Sequence, residues 1–200
     1  LIIDGPSISK LFEIRKQHDL WILQPAYDPR GIVSHPITQV DERYFMRYTN
    51  FVEVTCPLFR TDKLRQFFEV YDPEIVGWGV DWWFLEELGP DLANKVAVVD
   101  SVPCINPDPR SKGRELEVED PRFAKYARNN QEQTWLAYKE KHSLKGHELG
   151  YKTYQCLWKD DLDSATYKKV VQTSEQLRVC IATPEVAGPN RSGGIGTAYV

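Results

Sequence analysis

The sequence predicts an α/β fold in three parts: an incomplete first domain over residues 1–109, a partly helical linker over 110–178, and the start of a second domain over 179–200. Three observations predict it. The apolar runs Leu20–Gln24 and Lys95–Val99 read as strands buried on both faces of a sheet, and segments of helical period lie between them. From Cys104 to Asp120 the composition shifts to Pro, Gly and charge, as at a boundary or linker. Finally, the apolar strand Val179–Thr183 leads through Pro184 and Gly188 into the glycine-rich Ser192–Thr197, the usual opening of a βα unit. The chain stops at Val200, before a second strand could join it, so the reading is of a chain cut mid-domain.

In chain order, Ser7–His18 is predicted as a helix capped by Ser7, with Ile8, Leu11 and Phe12 at i, i+3 and i+4. Leu20–Gln24 is a short strand ended by Pro25, and the loop that follows holds Pro25, Pro29, Gly31 and Pro36. Arg43–Pro57 reads as a strand whose end, Phe51–Thr55, alternates at period two. Thr61–Tyr71 is the clearest helix, with Leu64, Phe67, Phe68 and Tyr71 as one stripe and Asp72-Pro73 as its stop. A short helix is expected from near Val80 to Gly89-Pro90, then the strand Lys95–Val99 with Asp100 at its end. Asp120-Pro121 opens a helix that runs to about Lys141, on a thin apolar face of Phe123, Ala127, Thr134 and Tyr138. Leu149–Trp158 is expected to be extended, and Asp163–Ser174 helical with Tyr167, Val170 and Val171 on one face.

Composition narrows the function. The 200 residues are 42% hydrophobic and 27% charged, ordinary for a folded globular chain. A formal charge of -4 argues against nucleic acid or an anionic membrane as the main partner. No run approaches the roughly 20 apolar residues of a spanning helix, and nothing at the start reads as a signal peptide. Cys56, Cys104, Cys156 and Cys180 lack metal or redox spacing and are expected to be buried reduced thiols, which fits a reducing, cytoplasmic setting. His18, His35, His142 and His147 show no ligand spacing, so surface or capping roles are expected for all four.

The sharpest local feature is Gly77-Trp78-Gly79-Val80-Asp81. Glycines on both sides of a tryptophan let the backbone turn tightly against a ligand and leave the indole free to stack. Flat aromatic faces suit the C–H-rich faces of sugar rings. Asp81 follows at a helix start, where the dipole favours the ionised carboxylate that a general base requires. The bland alternative is a tight turn with core tryptophans and a capping Asp. A second feature is Arg47-Tyr48-Thr49-Asn50-Phe51-Val52-Glu53: Arg47 can grip a phosphate or carboxylate with its fork, and Asn50 and Glu53 can bind sugar hydroxyls. Glu53 sits between Val52 and Val54, and its dull reading is a solvent-facing side chain.

Taken in order, Asp4-Gly5 through Leu11-Phe12, Gln24-Pro25-Ala26, Arg47–Val54 with Cys56-Pro57-Leu58-Phe59, Gly77–Asp81 and Val98-Val99-Asp100 resemble the DUF707 family over residues 1–109. That family is similar to glycosyltransferases of the GT-A fold, a Rossmann-like α/β domain. The resemblance implies an Asp-rich motif before Leu1 that holds a divalent metal (Mn or Mg) and the nucleotide-sugar diphosphate. It assigns the catalytic carboxylate to Asp81 and leaves no metal ligand within this chain; where the family pattern carries a His after the last strand, Asn106 stands here. The tail, Val179–Glu185, Gly188-Pro189 and Gly193–Ala198, resembles the first strand and glycine loop of GT-B glycosyltransferases, close to the glycogen-synthase-like and family 4 enzymes. Gly193, Gly194 and Gly196 would then form a donor or phosphate loop at a helix N-terminus.

Together these readings lead to an expectation: a piece of an enzyme that moves a sugar from a nucleotide-sugar donor to a hydroxyl of a glycan or glycolipid acceptor. Asp81 would be its general base, with Gly77, Trp78, Gly79, Arg47, Asn50 and Glu53 around the acceptor. The piece alone is expected to be inactive. The rival expectation is a carbohydrate-binding or scaffolding module without turnover.

Overall fold

In the computed structural model, residues 1–73, 75, 77–107, 128–160, 179–181 and 196–198 are described. The first helix, α1 (Gly5–Gln17), is capped by Asp4 rather than Ser7: the Asp4 carboxylate accepts the Ser7 N–H at 2.8 Å. A carboxylate three residues ahead of that N–H reaches an otherwise unpaired donor, and Pro6 adds a preset φ in the first turn.

The strands β1 (Ile22–Tyr27), β2 (Tyr44–Thr49), β3 (Leu58–Phe59), β4 (Val96–Cys104) and β5 (Thr153–Trp158) form one mixed sheet in the order β3-β1-β4-β2-β5. β1 and β4 are parallel, and every other pair is antiparallel. β1 runs through Pro25 instead of ending there, with Pro25 opposite Val99 and a register shift before Tyr27. The proline is tolerated because β3 pairs only with Ile22 and Leu23, so by Pro25 one side of β1 has no ladder to interrupt. β4 likewise outlasts its expected end and carries Asp100 in its interior. β2 is shorter than expected. It stops at Thr49, and Phe51, Val52 and Glu53 are all buried in the turn-rich segment that follows, without alternation.

Alternate residues of the parallel pair enter different cores, as a period of two requires: Ile22 and Val96 on one side, Leu23 and Ala97 on the other. α1 covers the second face with Leu11 and Ile14. The first face is covered by α2 (Thr61–Phe68), α3 (Val80–Glu87) and α4 (Arg128–His142), with Phe67, Trp82, Trp83, Phe84 and Trp135 in its core. Within α2, Leu64 and Phe67 are buried while Phe68, one step round the helix, is exposed. The chain is thus α/β, with helices on both faces of a mixed sheet.

The structure differs from the sequence reading most over 110–178. β5 pairs with β2 along Tyr44–Thr49, and Trp135 of α4 is almost fully buried in the first core. The span expected to be a linker therefore contributes a strand and a helix to the same sheet and core as residues 1–109. The helix start at Asp120-Pro121, its face residues Phe123 and Ala127, and the helix expected over 163–174 lie outside the described residues. At the tail, β6 (Val179–Ile181) pairs antiparallel with β7 (Gly196–Ala198), from Val179 opposite Ala198 to Ile181 opposite Gly196. β6 thus has a partner strand where the sequence reading expected none, and Gly196 is the first residue of that strand; Gly193 and Gly194 lie outside the described residues. Cys56, Cys104 and Cys156 are free thiols, but only Cys104 is fully buried. Among the described residues no helix is long and apolar enough to cross a membrane.

Candidate functional site

Asp81 occupies the first turn of α3 and is 5% exposed. Gly79, in the cap position at φ 84°, turns the chain into the helix. One carboxylate oxygen, Oδ1, accepts the N–H of Trp82 at 2.9 Å. The other, Oδ2, faces His35 Nε2 at 3.9 Å. Burial drives the Asp81 carboxyl up to about 7; the nearby Glu53 adds to the rise, while the N–H groups of Trp82, Asp81 and Val54 oppose it. The sequence reading expects the helix end to keep this group ionised. Burial outweighs that effect, because a short helix supplies only a few N–H groups against the full cost of removing a carboxylate from water.

Glu53 is also buried, contrary to the solvent-facing expectation. Its backbone N–H donates to Gln24 Oε1, which anchors the turn to β1, and its Oε1 accepts the Thr55 hydroxyl at 2.6 Å. Oε2 is buried without a protein partner, and burial raises the Glu53 pKa. Asp81 and Glu53 are thus two interacting buried carboxyls from different elements, both with their pKa values raised by burial.

Aromatic rings complete the site. His35, half-buried, packs on Phe51 with ring centroids 4.7 Å apart, and its Nδ1 lies 2.6 Å from the Tyr151 hydroxyl. Tyr151 stacks on Trp82 at 5.5 Å and 28° and sits edge-on to Phe51. Burial lowers the His35 pKa, so the imidazole is neutral at pH 7; burial and the Asp81 and Glu53 charges raise that of Tyr151. His35, Tyr151, Trp82 and Phe51 were not singled out from sequence as one site, since no spacing joins residues that reach it from a loop, a helix and the approach to β5.

The remaining predicted residues are engaged elsewhere. Arg47 uses its fork within the protein: Nε and Nη2 donate to the two oxygens of buried Asp100 at 3.0 and 2.9 Å, and Nη2 also donates to the Gln39 carbonyl. Asn50 donates to the Gly150 carbonyl at 2.8 Å and accepts the Lys152 N–H at 2.7 Å, clamping the segment that carries Tyr151. The Gly77-Trp78-Gly79 turn closes against protein rather than opening to a ligand. A Cβ on Gly79 would lie 2.1 Å from the Trp135 indole, and one on Gly77 3.0 Å from Gln131 Oε1. Trp78 is partly buried and packs on the same core. Among the described residues no group of three or more His, Cys, Asp or Glu is placed to hold a metal ion.

Scans against protein-family models, curated proteins and solved structures find no match to this chain.

Proposed function

We propose that the chain carries the acceptor side of a glycosyltransferase, which moves a sugar from a nucleotide-sugar donor to a hydroxyl of a glycan or glycolipid. The observation that carries this reading is Asp81: a buried carboxyl tuned to about 7, in the first turn of a helix and beside the Trp82–Tyr151 stack. A general base works best with a pKa near the ambient pH, and Asp81 has that value for a stated reason. Oδ1 is held by the Trp82 N–H, which leaves Oδ2 to take the proton. In the transfer, the acceptor oxygen bonds to the anomeric carbon as the bond to the diphosphate breaks. The diphosphate leaves with the electron pair, and the acceptor proton passes to Asp81. The exposed Tyr151 ring offers a flat apolar face to a sugar. Arg47, Asn50 and the glycine turn support this site from behind rather than touching substrate. The DUF707 resemblance adds a divalent ion for the diphosphate, on residues before Leu1.

The test is a panel of nucleotide sugars incubated with the full natural protein and glycan or glycolipid acceptors, first with Mn²⁺ or Mg²⁺ and then with chelator. Transfer to an acceptor hydroxyl supports the reading and names the donor. Saturable sugar binding without any turnover would replace it with a recognition module.

A further inference from the structure

We propose that His35 is a positioning residue for Asp81, held by Tyr151 as the Nε2–H tautomer so that this N–H points at the Asp81 carboxylate. The inference rests on the reading of Asp81 as the base and extends it to two residues from other elements.

The geometry gives the direction of each contact. His35 stands between two oxygens: the Tyr151 hydroxyl, 2.6 Å from Nδ1, and Asp81 Oδ2, 3.9 Å from Nε2. A neutral imidazole has one N–H and one lone pair. If Tyr151 donates its O–H, Nδ1 must be the acceptor and the ring proton must sit on Nε2, facing Asp81. That assignment gives the Tyr151 O–H an acceptor and turns the ring N–H toward the Asp81 carboxylate. The opposite tautomer would turn a lone pair toward a carboxylate, which is repulsive whenever Asp81 is ionised. The ring is packed on Phe51, and Tyr151 is packed on Trp82, so neither partner turns away without losing aromatic contact. At 3.9 Å the Nε2–Oδ2 pair is longer than a hydrogen bond, as pairs in ligand-free sites often are.

The consequence concerns the proton. The titratable groups around Asp81 are Glu53 from the segment after β2, His35 from the loop after β1, and Tyr151 from the approach to β5. Glu53 and burial favour the protonated form of Asp81, which is useless as a base. An N–H from His35 is the one side-chain contact among these that favours the carboxylate, and it does so without bringing a second charge into the site.

The test uses the whole 200-residue chain and needs no substrate. The ¹⁵N shifts of the His35 imidazole report its tautomer, and the ¹³C shift of the Asp81 carboxyl reports its titration. The proposal expects the Nε2–H form in the unaltered chain. It expects the Asp81 midpoint to rise by about one pH unit in His35→Ala, by less in Tyr151→Phe, and to return towards the original in His35→Gln, whose amide can still donate. An Nδ1–H tautomer, or an Asp81 midpoint indifferent to all three substitutions, would overturn it. A merely structural His35 would give no rescue by Gln. Because none of these readouts depends on transfer, coupling seen in this chain together with a full natural protein that never transfers sugar would sink the proposed function and leave the positioning role standing.

Discussion

At the scale of single residues, what decides a side chain's role is the company it keeps. Asp81 and Arg47 show the two outcomes. The Asp81 carboxyl is buried with no Lys or Arg against it among the described residues, and its raised pKa has a cost that can be measured. Between the unfolded value near 3.8 and the folded value of about 7, the native state holds a proton that the unfolded state has released. Stability conferred by the protonated form is therefore full below the unfolded value, is lost as pH rises towards 7, and stays lost above it. Asp81→Asn removes this penalty. Chemical denaturation should show it more stable than the unaltered chain by on the order of 1–3 kcal/mol at pH 8, with the difference vanishing near pH 4. Arg47 instead has its partner, Asp100, in a fully buried fork. Arg47→Ala leaves that carboxylate unpaired and should cost about 3–5 kcal/mol of folding stability, whereas a ligand-holding arginine would lose affinity and little else. The residue types were legible in sequence in both cases. Their roles were not, because Asp100 reaches Arg47 from the neighbouring strand and Glu53 reaches Asp81 from the segment after β2, both distant along the chain.

At the scale of elements, the glycine turn and α4 are one construction. Gly79 has a positive φ, reachable without strain by glycine, and its missing Cβ is the space that the Trp135 indole fills. Glu86 of α3 then accepts the N–H groups of Lys145 and Gly146 at 3.0 and 2.6 Å, fastening the chain after α4 to the helix that carries Asp81. Gly79→Ala should therefore be destabilised by about 3 kcal/mol or more, and Trp135→Ala by about 3–5 kcal/mol, both read from denaturant midpoints. The Gly77–Asp81 pattern was read as a tight turn whose backbone approaches a ligand; the tight turn is present, and the Trp135 indole is what approaches it. Periodicity put the weight of α4 on Thr134 and Tyr138 and passed over Trp135, because a lone large residue on a charged helix makes no stripe. α2 and α3, with dense apolar runs between clear stop signals, were legible almost to their ends; β2 was overextended because Phe51–Thr55 imitates a strand's alternation while its backbone follows a buried turn.

At the scale of the whole molecule, the first unit extends well past residue 109. β5 supplies the outer partner of β2, Trp135 closes the first core, and Tyr151 reaches the candidate site through the Asn50 clamp. A chain ended at residue 109 loses all three and leaves β2 as an unpaired edge. It should fail to show a cooperative thermal transition by circular dichroism, while one ended at residue 160 should melt cooperatively. An α/β architecture was readable from the alternation of apolar runs and helical stripes. The extent of the unit was not, since β5 joins the sheet by pairing with a strand more than a hundred residues earlier and leaves no local mark of its partner.

The claim on which the functional reading stands is that Asp81 removes the acceptor proton, and the most direct measurement compares sugar transfer by the full natural protein with transfer by its Asp81→Asn form as pH is varied. The account predicts that the unaltered enzyme loses rate below about pH 7 as Asp81 takes up its proton, and that Asp81→Asn is slower by about 100- to 10,000-fold with that acid limb gone. An Asp81→Asn enzyme that transfers sugar at the unaltered rate, with the same pH profile, would contradict it.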